Sequence, residues 1–178
     1  MKNVYFLSDA HLGSRAIEHG RTQERRLVNF LDSIKHKAAA VYLLGDMFDY
    51  WYEYKYVVPK GHVRFLGKLA ELSDRGIEIH FFIGNHDIWM YGYLEEECGV
   101  IIHTKPTTVD IYDKVFYMAH GDGLGDLVFE GTRAGAPVLV VQRGAVGAEQ
   151  REDVVDVARE LLHRIHGATV VVDEVPAA

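Results

Sequence analysis

The sequence predicts an α/β fold in which helices cover a largely parallel sheet. At 178 residues and 48% hydrophobic content, the chain is long enough to bury one core. Short apolar runs alternate with segments of helical periodicity, the order typical of parallel strands joined by crossover helices. Four of these runs end at Asp, Asn or His. Open α/β sheets bind ligands at the carboxyl ends of their strands, so the sequence also predicts a functional site at that edge.

The individual elements follow from the spacing of apolar residues. Residues such as Leu27 and Leu31 recur at three- and four-residue spacing and predict the first helix, with Thr22 as its N-cap. The second helix is expected to end at Gly76, because glycine adopts the left-handed conformation that ends helices. Antiparallel strands are expected near residues 100–118, with a tight hairpin turn before Lys114. The predicted strands are 3–7, 39–44, 77–83, 100–103, 107–112 and 114–118, and the predicted helices are 22–37, 61–75 and 87–98.

The composition changes after about Asp126. All ten Tyr, both Trp and all eight Lys precede that point, and the last 52 residues contain twelve Val. The sequence therefore predicts a core at residues 1–126 that carries the polar motifs, and a tail at residues 127–178 that packs on the same domain. The periodicity of the tail predicts a β-α-β order, with strands at 137–142 and 169–172 and a helix at 148–166.

Five side chains near the strand ends have the chemistry of metal ligands: Asp9, His11, Asp46, Asn85 and His120. Asp9 and His11 are two residues apart, so both can face one ion as the chain turns. The carboxylate of Asp46 has two oxygens that can bridge two ions. Oxygen and nitrogen ligands without thiolate suit Mn²⁺, Fe²⁺ or Zn²⁺. Two such ions about 3.5–4 Å apart would clamp a phosphoryl group and lower the pKa of a bound water for in-line attack.

Each motif alone also has a simpler interpretation. Asp9-Ala10-His11 could be a turn, and Gly84-Asn85-His86-Asp87 could be a helix entry capped by Asp87. Because four strand ends carry such residues at once, we favour the metal site. His86 could then stabilise charge or protonate a leaving oxygen, and Asp87 could orient it. Asn85 and His86 are the expected substrate contacts, and His86 and Asp87 the expected catalytic residues.

The longer motifs around these residues resemble the calcineurin-like metallophosphoesterases. The matching segments are Asp9-x-His11, Gly45-Asp46-x-x-Asp49, Gly84-Asn85-His86-Asp87 and His120-Gly121-Asp122-Gly123. The flanking residues within 1–126 are similar to a narrower branch, the UDP-2,3-diacylglucosamine pyrophosphatases, or hydrolases, of bacterial lipid A synthesis. Members of that branch cleave their substrate into UMP and a diacylated sugar phosphate.

This resemblance implies a four-layer αββα sandwich with two ions, Mn²⁺ being the favoured metal. It implies that Asp9 and His11 bind the first ion, that Asp46 bridges, and that Asn85 and His120 bind the second. His86 occupies the position of the residue that stabilises the transition state. The resemblance further implies a nucleotide-linked lipid as substrate and a cytoplasmic location, with peripheral contact at the inner face of the inner membrane.

The chain departs from the family pattern after residue 126. The family closes its site with a Gly-His-x-His motif, which this sequence lacks, so five of seven expected ligands are present. The remaining pair, His163 and His166, is better explained by the dipole at a helix C-terminus. The helical insertion that covers acyl chains in the branch is not recognisable either. Two hypotheses remain: an enzyme that is impaired by the missing motif, or a non-catalytic remnant that binds metal or phosphate weakly.

Composition and net charge limit the classes of partner and the compartment expected for this protein. A net charge of −7 argues against nucleic acid as a ligand, since binding to phosphates requires a basic surface. The single Cys98 excludes an intrachain disulfide and favours a reducing compartment. No apolar run approaches the roughly 20 residues needed to cross a bilayer, and no leader is apparent before the first strand. The aromatic segment 50–56 either packs as a loop over the second helix or forms an amphipathic rim near the substrate.

Overall fold

The structure is a computed structural model that describes residues 2–17, 20–112, 114–120, 138–140 and 168–170. Within these ranges the chain forms eight strands and three helices. The strands are β1 (Asn3–Leu7), β2 (Ala38–Leu43), β3 (Glu78–Phe82), β4 (Ile101–His103), β5 (Thr107–Ile111), β6 (Lys114–Met118), β7 (Val138–Val140) and β8 (Ala168–Val170), and the helices are α1 (Gly20–Ile34), α2 (Val63–Asp74) and α3 (Tyr93–Cys98).

The main sheet has five strands in the order β4-β3-β2-β1-β8, and all of its pairs are parallel. This confirms the predicted parallel α/β sheet. It also corrects one expectation, because β4 joins β3 in parallel rather than starting the antiparallel part of the chain. The three central strands β1, β2 and β3 end at the same edge of the sheet, and this edge carries the predicted ligands.

A second sheet has the order β5-β6-β7. Strands β5 and β6 are antiparallel with Ile111 opposite Lys114, so the chain reverses between these two residues, as predicted. The tail contributes one described strand to each sheet. β7 lies beside β6, and β8 lies beside β1, in agreement with the two strands predicted for the tail. The predicted tail helix at 148–166, with His163 and His166, lies outside the described residues.

Two apolar clusters define the layers. Tyr5 and Leu7 of β1 face the helices, whereas Val4 and Phe6 face the second sheet, so both faces of this strand are buried. Phe6 stacks on Phe116 across the sheets at 5.8 Å between ring centroids. Burying a side chain of this size contributes about 1.5–3 kcal/mol. The described residues thus form three layers, helices on a parallel sheet on a second sheet, of the expected αββα sandwich.

Two helix boundaries differ from the sequence expectation. Helix α1 begins at Gly20, so Thr22 lies in its first turn rather than at the cap. Helix α3 begins at Tyr93 rather than at residue 87. The intervening residues remain outside a helix because their main chain bonds to another loop: the Trp51 N–H donates to the His86 carbonyl, and the Glu53 N–H to Trp89. None of the described helices has the length and apolarity needed to cross a membrane.

Candidate metal centre

The ligand loops begin where the central strands end, and their main chains cross-link one another. The Asp9 N–H donates to the Gly45 carbonyl at 3.2 Å, and the His11 N–H donates to the Asp46 carbonyl at 2.9 Å. These bonds join the loop after β1 to the loop after β2. The two loops therefore form one unit at the carboxyl edge of the parallel sheet, the position where such sheets bind ligands.

Three of the predicted ligands adopt left-handed backbone conformations that residues other than glycine rarely adopt. Their φ values are 53° for Asp9, 39° for His11 and 51° for Asp46. Such conformations cost on the order of 1–3 kcal/mol each and persist where surrounding contacts enforce them. Their concentration at one sheet edge indicates that the loops are shaped for function rather than for local stability.

The five predicted ligands lie together around Asp46. His11 Nε2 lies 3.6 Å from Asp9 Oδ1 and 3.8 Å from Asp46 Oδ2. His120 Nε2 lies 3.3 Å from the same Asp46 oxygen and 3.1 Å from Asn85 Oδ1. Oδ2 of Asp46 thus faces two groups of nitrogen and oxygen atoms. Neighbouring ligands of one ion lie about 3–3.5 Å apart when metal–ligand distances are near 2.1 Å, so the spacing of these atoms fits two cations.

The hydrogen bonds of His120 favour a metal-binding tautomer. Its Nδ1 lies 2.9 Å from the Leu44 carbonyl, which can only accept, so Nδ1 carries the proton. In the charged ring, Nε2 donates its proton to Asp46; in the neutral ring, Nε2 instead presents a lone pair toward the oxygens of Asp46 and Asn85. Three electron-pair donors that converge in this way are the arrangement that a cation satisfies.

The charges of the site are coupled. The hydrogen bond with Asp9 raises the pKa of His11 against the effect of burial, and the charge of Asp46 acts in the same direction. Burial opposes ionisation of Asp46, but the hydrogen bonds from His120 and from the His86 N–H prevail and lower its pKa. Asp46 is therefore ionised at neutral pH, and the carboxylates around His11 favour a positive charge there, which a bound cation could supply.

His86 lies on the His11 side of the site. Its ring stands edge-on to the His11 ring at 4.8 Å between centroids. Ligating atoms of His11, Asp46 and His86 lie within 4.8 Å of one another, so this trio could also hold an ion. The His86 N–H donates to Asp46 Oδ1 at 3.0 Å, which fixes the start of this loop.

Asp49 has the role that the sequence suggested for Asp87. His86 Nδ1 lies 2.8 Å from the Asp49 carbonyl, so Asp49 orients the imidazole. The Asp49 carboxylate also lies 3.7 Å from His11 Nδ1. Asp87 was expected to orient His86, but its fully buried carboxylate instead accepts backbone N–H groups of four residues: Gly84, Asp46, Met47 and Phe48. The spacing Gly45-Asp46-x-x-Asp49 was the only sequence signal for Asp49.

Burial raises the pKa of Asp87 to about 6, against the backbone donors that favour its charged form. The buried Asp87 carboxylate accepts N–H groups from both the loop after β3 and the loop after β2. It therefore holds the two loops together. Asp87 is therefore placed as a positioning residue.

Comparison with known proteins agrees with this geometry. The family model of the calcineurin-like phosphoesterases matches residues 2–165. The chain belongs to this family. The family implies divalent metal ions, and the cluster of oxygen and nitrogen donors contains a trio that could hold one.

Two curated relatives are UDP-2,3-diacylglucosamine hydrolases. A UDP-2,3-diacylglucosamine hydrolase of Porphyromonas gingivalis is 58% identical over 119 residues, which are 67% of this chain and 45% of that protein. The hydrolase of Nitrosococcus oceani is 32% identical over 134 residues, or 74% of this chain and 51% of its own length. The chain thus spans about half the length of the curated relatives that it matches.

A solved structure supports the fold alone. The crystal structure of a protein of unknown function from Aquifex aeolicus aligns with a TM-score of 0.50 at 17% identity. The alignment covers 92% of this chain and 74% of the other.

Two glycines permit the close approach of the ligands. A Cβ at Gly84 would lie 2.2 Å from Asp46 Oδ1, and a Cβ at Gly45, whose φ is 90°, would lie 2.4 Å from His120 Nδ1. Neither position has room for a methyl group. The two glycines that precede Asp46 and Asn85 are thus required by the packing of the site.

The aromatic segment after Asp49 alternates between the core and the surface. Trp51 is fully buried against Phe48, whereas Tyr50 and Tyr52 are exposed and both contact Trp89 at about 6 Å between centroids. Tyr52 also meets the exposed ring of Tyr91. The buried face therefore packs as a loop, and the rim near the substrate stays a prediction for the exposed face. We call the exposed residues Tyr50, Tyr52, Trp89 and Tyr91 the aromatic ridge.

Proposed function

We propose that the chain is a metal-dependent phosphoesterase that hydrolyses UDP-2,3-diacylglucosamine to UMP and a diacylated sugar phosphate. The observation that carries this proposal is the position of Asp46 Oδ2 between two groups of nitrogen and oxygen donors. The 58% identity with the hydrolase of Porphyromonas gingivalis supports the substrate.

Asp9, His11 and Asp46 would hold one ion, and Asp46, Asn85 and His120 the other. Such ions activate a water molecule and neutralise charge on the phosphoryl group. The protein's own contribution is to place these groups before the substrate arrives, through the cross-linked loops and the carboxylate of Asp87. Mn²⁺ is the metal that we propose, with Fe²⁺ and Zn²⁺ as alternatives compatible with the same donors.

His86 is the proposed catalytic side chain. Because the Nδ1–H group donates to the Asp49 carbonyl, the second proton of the charged ring is on Nε2. That proton can be donated to a phosphoryl oxygen or to the leaving oxygen. The amide of Asn85 would contact the same phosphoryl group. Asp87 contributes by holding the loop that carries both residues.

The aromatic ridge is the proposed contact for the lipid part of the substrate. Tyr and Trp combine an apolar ring with a polar group and suit half-wet surfaces. The ridge begins at Tyr50, directly after Asp49, so it adjoins the proposed metal centre. We propose a cytoplasmic protein that touches the membrane peripherally through this surface.

A non-catalytic remnant of the same fold is the alternative, because the sequence lacks the closing Gly-His-x-His motif. In that case the described half-site would bind metal or phosphate without turnover. The boundary proposed near residue 126, between a metal-binding core and a divergent tail, fits this alternative as well as the first.

Hydrolysis of UDP-2,3-diacylglucosamine in Mn²⁺, followed by release of UMP, tests the proposal. Asp46→Ala should abolish the release, and Asp32→Asn, a surface change on α1, should not. Activity that survives Asp46→Ala would refute the site. Metal analysis separates the alternatives, since two equivalents per chain support the enzyme and less than one supports the remnant.

A further inference from the structure

A cavity of about 530 Å³ opens beside the metal centre. It lies between the N-terminal end of α1 and the loop that leads into α2. Its wall includes Asp49, which also contacts His11 and His86, so the cavity and the metal centre share a residue. Pockets of about 300–1,000 Å³ hold ligands of the size of a nucleotide.

The cavity is more cationic than the rest of the chain. Arg21, Lys60 and Arg64 line it, although the net charge of the protein is −7. Of the two acidic residues on the wall, Asp49 faces His11 and His86 at the metal centre, and Glu24 is buried and paired with Arg64 at 3.9 Å. Its carboxylate accepts the N–H groups of Arg64 and Phe65 at 3.0 and 3.3 Å. The charge of Glu24 is therefore largely compensated by the start of α2, and the cavity favours an anionic ligand.

Two rings offer flat surfaces on the same wall. Tyr50 is 58% exposed, and His62 is half-buried between Gly13 and Phe48. The backbone of His62 is left-handed, with φ of 58°, which fixes the ring in this position at a conformational cost. Burial lowers the pKa of His62, so its imidazole is neutral near neutral pH and can donate or accept a hydrogen bond. A planar heterocycle suits such a wall better than an alkyl chain does.

We propose that this cavity binds the nucleoside monophosphate half of the substrate, with the base against Tyr50 and His62 and the anionic part facing Arg21 and Lys60. This inference rests on the proposed function and gives the substrate a direction. The nucleotide lies on the cationic side of Asp49, and the acylated sugar lies toward the part of the aromatic ridge outside the cavity, Tyr52, Trp89 and Tyr91. Acyl chains would not enter the cavity, because they would remove the hydration of its charged groups without pairing them.

The test uses the full chain with Arg21→Gln and Lys60→Gln combined. Both side chains are exposed, so the double variant should fold, which a thermal melt checks. We expect the KM for UDP-2,3-diacylglucosamine and the Kd for UMP, measured by calorimetry, each to rise about tenfold or more. Hydrolysis of bis-para-nitrophenyl phosphate, which has no nucleotide, should change less than about twofold. The matched control is Arg26→Gln with Lys37→Gln, exposed cations outside the cavity, which should leave all three values unchanged.

The outcomes separate this inference from the proposed function. If Asp46→Ala abolishes release of UMP but the double variant keeps the wild-type KM and Kd, the cavity is not the nucleotide site and the function stands. If the wild type cleaves only the nitrophenyl diester, the proposed substrate is wrong, and UMP calorimetry alone decides the cavity. Weaker UMP binding in the double variant then supports it. Equal binding, no binding, or binding matched by inorganic phosphate alone overturns it.

Discussion

Two groups of histidines in this protein have opposite surroundings. At the ligand edge, His11 faces Asp9, Asp46 and Asp49, and its pKa is raised. Between the two sheets, His80 Nδ1 and His103 Nε2 lie 3.0 Å apart among aromatic rings, and burial lowers the pKa of both. His80 stacks on Tyr42 and His103 stacks on Phe82, each at 4.4 Å between centroids.

The comparison shows that neighbouring side chains decide what an imidazole does. Carboxylates around His11 favour a positive charge there, whether it is a proton or a metal ion. Burial favours neutral rings at His80 and His103, and at His80 it outweighs the exposed Glu78 carboxylate, 3.6 Å from Nε2. Among the described residues, the three-donor group that could hold an ion includes His11 and His86 but neither His80 nor His103.

The largest effect is expected at the carboxylate that both groups of donors share. Asp46→Asn keeps the shape of the side chain but removes its charge, so catalysis should fall on the order of a thousandfold or more. Steady-state release of UMP measures the loss. His80→Phe, which keeps the stacking on Tyr42, should retain activity. A similar loss in both variants would remove the distinction between the two histidine groups.

Metal linkage gives the next largest effect. Mn²⁺ at about 100 times its Kd should stabilise the folded protein by about 2.7 kcal/mol, because the unfolded chain lacks the assembled site. His11→Gln should lose most of this stabilisation, whereas His80→Phe should keep it. Urea denaturation with Mn²⁺ and with EDTA measures the difference. Equal stabilisation of the two variants would contradict the assignment of His11.

A steric prediction concerns the space between the ligand loops. Gly84→Ala would place a methyl group against Asp46, so we expect a loss of about 1–3 kcal/mol in the free energy of unfolding together with weaker metal binding. Gly67→Ala in α2 is the matched control, since nothing lies within 4 Å of its added Cβ. That change should stabilise the protein by about 0.5–1 kcal/mol. A neutral Gly84→Ala variant would show that the loops are looser than described.

The smallest effect is the pH dependence of stability in EDTA. The folded-state pKa of His80 is lowered, so the unfolded chain binds a proton below about pH 6.5 that the folded chain does not. His80→Phe removes this acid sensitivity and should gain stability relative to wild type as the pH falls from about 8 to about 5.

The pKa of His11 is raised, so its stabilisation is complete below about pH 6.5 and is lost as the pH rises through the folded pKa. His11→Gln should therefore lose stability relative to wild type over the same acid range. Urea titrations at both pH values give the two signs. Parallel pH profiles for the two variants would mean that the surroundings of the two rings do not differ as described.

The sequence by itself determined the central parallel strands β1, β2 and β3 and the positions of the ligand candidates, but not the parallel pairing of β4. This was possible because a buried strand is a local pattern. The apolar run of β1, for example, ends at Leu7, two positions before Asp9. The residues at the strand ends needed no tertiary information beyond the rule that parallel strands end at one edge. The strand segments of the tail were also predictable, as β7 and β8 show.

Only the tertiary structure decided which groups hold the ligands in place. Asp49 and His86 are 37 residues apart, and their hydrogen bond gives no signal in the local pattern. The same holds for Asp87, whose carboxylate accepts main-chain N–H groups about 40 residues away. These hydrogen bonds keep Asp87 outside α3, which begins at Tyr93. The pairing of His80 with His103 depends on the register of β3 and β4. Side-chain type is local information, but the partner of a side chain is set by packing between distant segments.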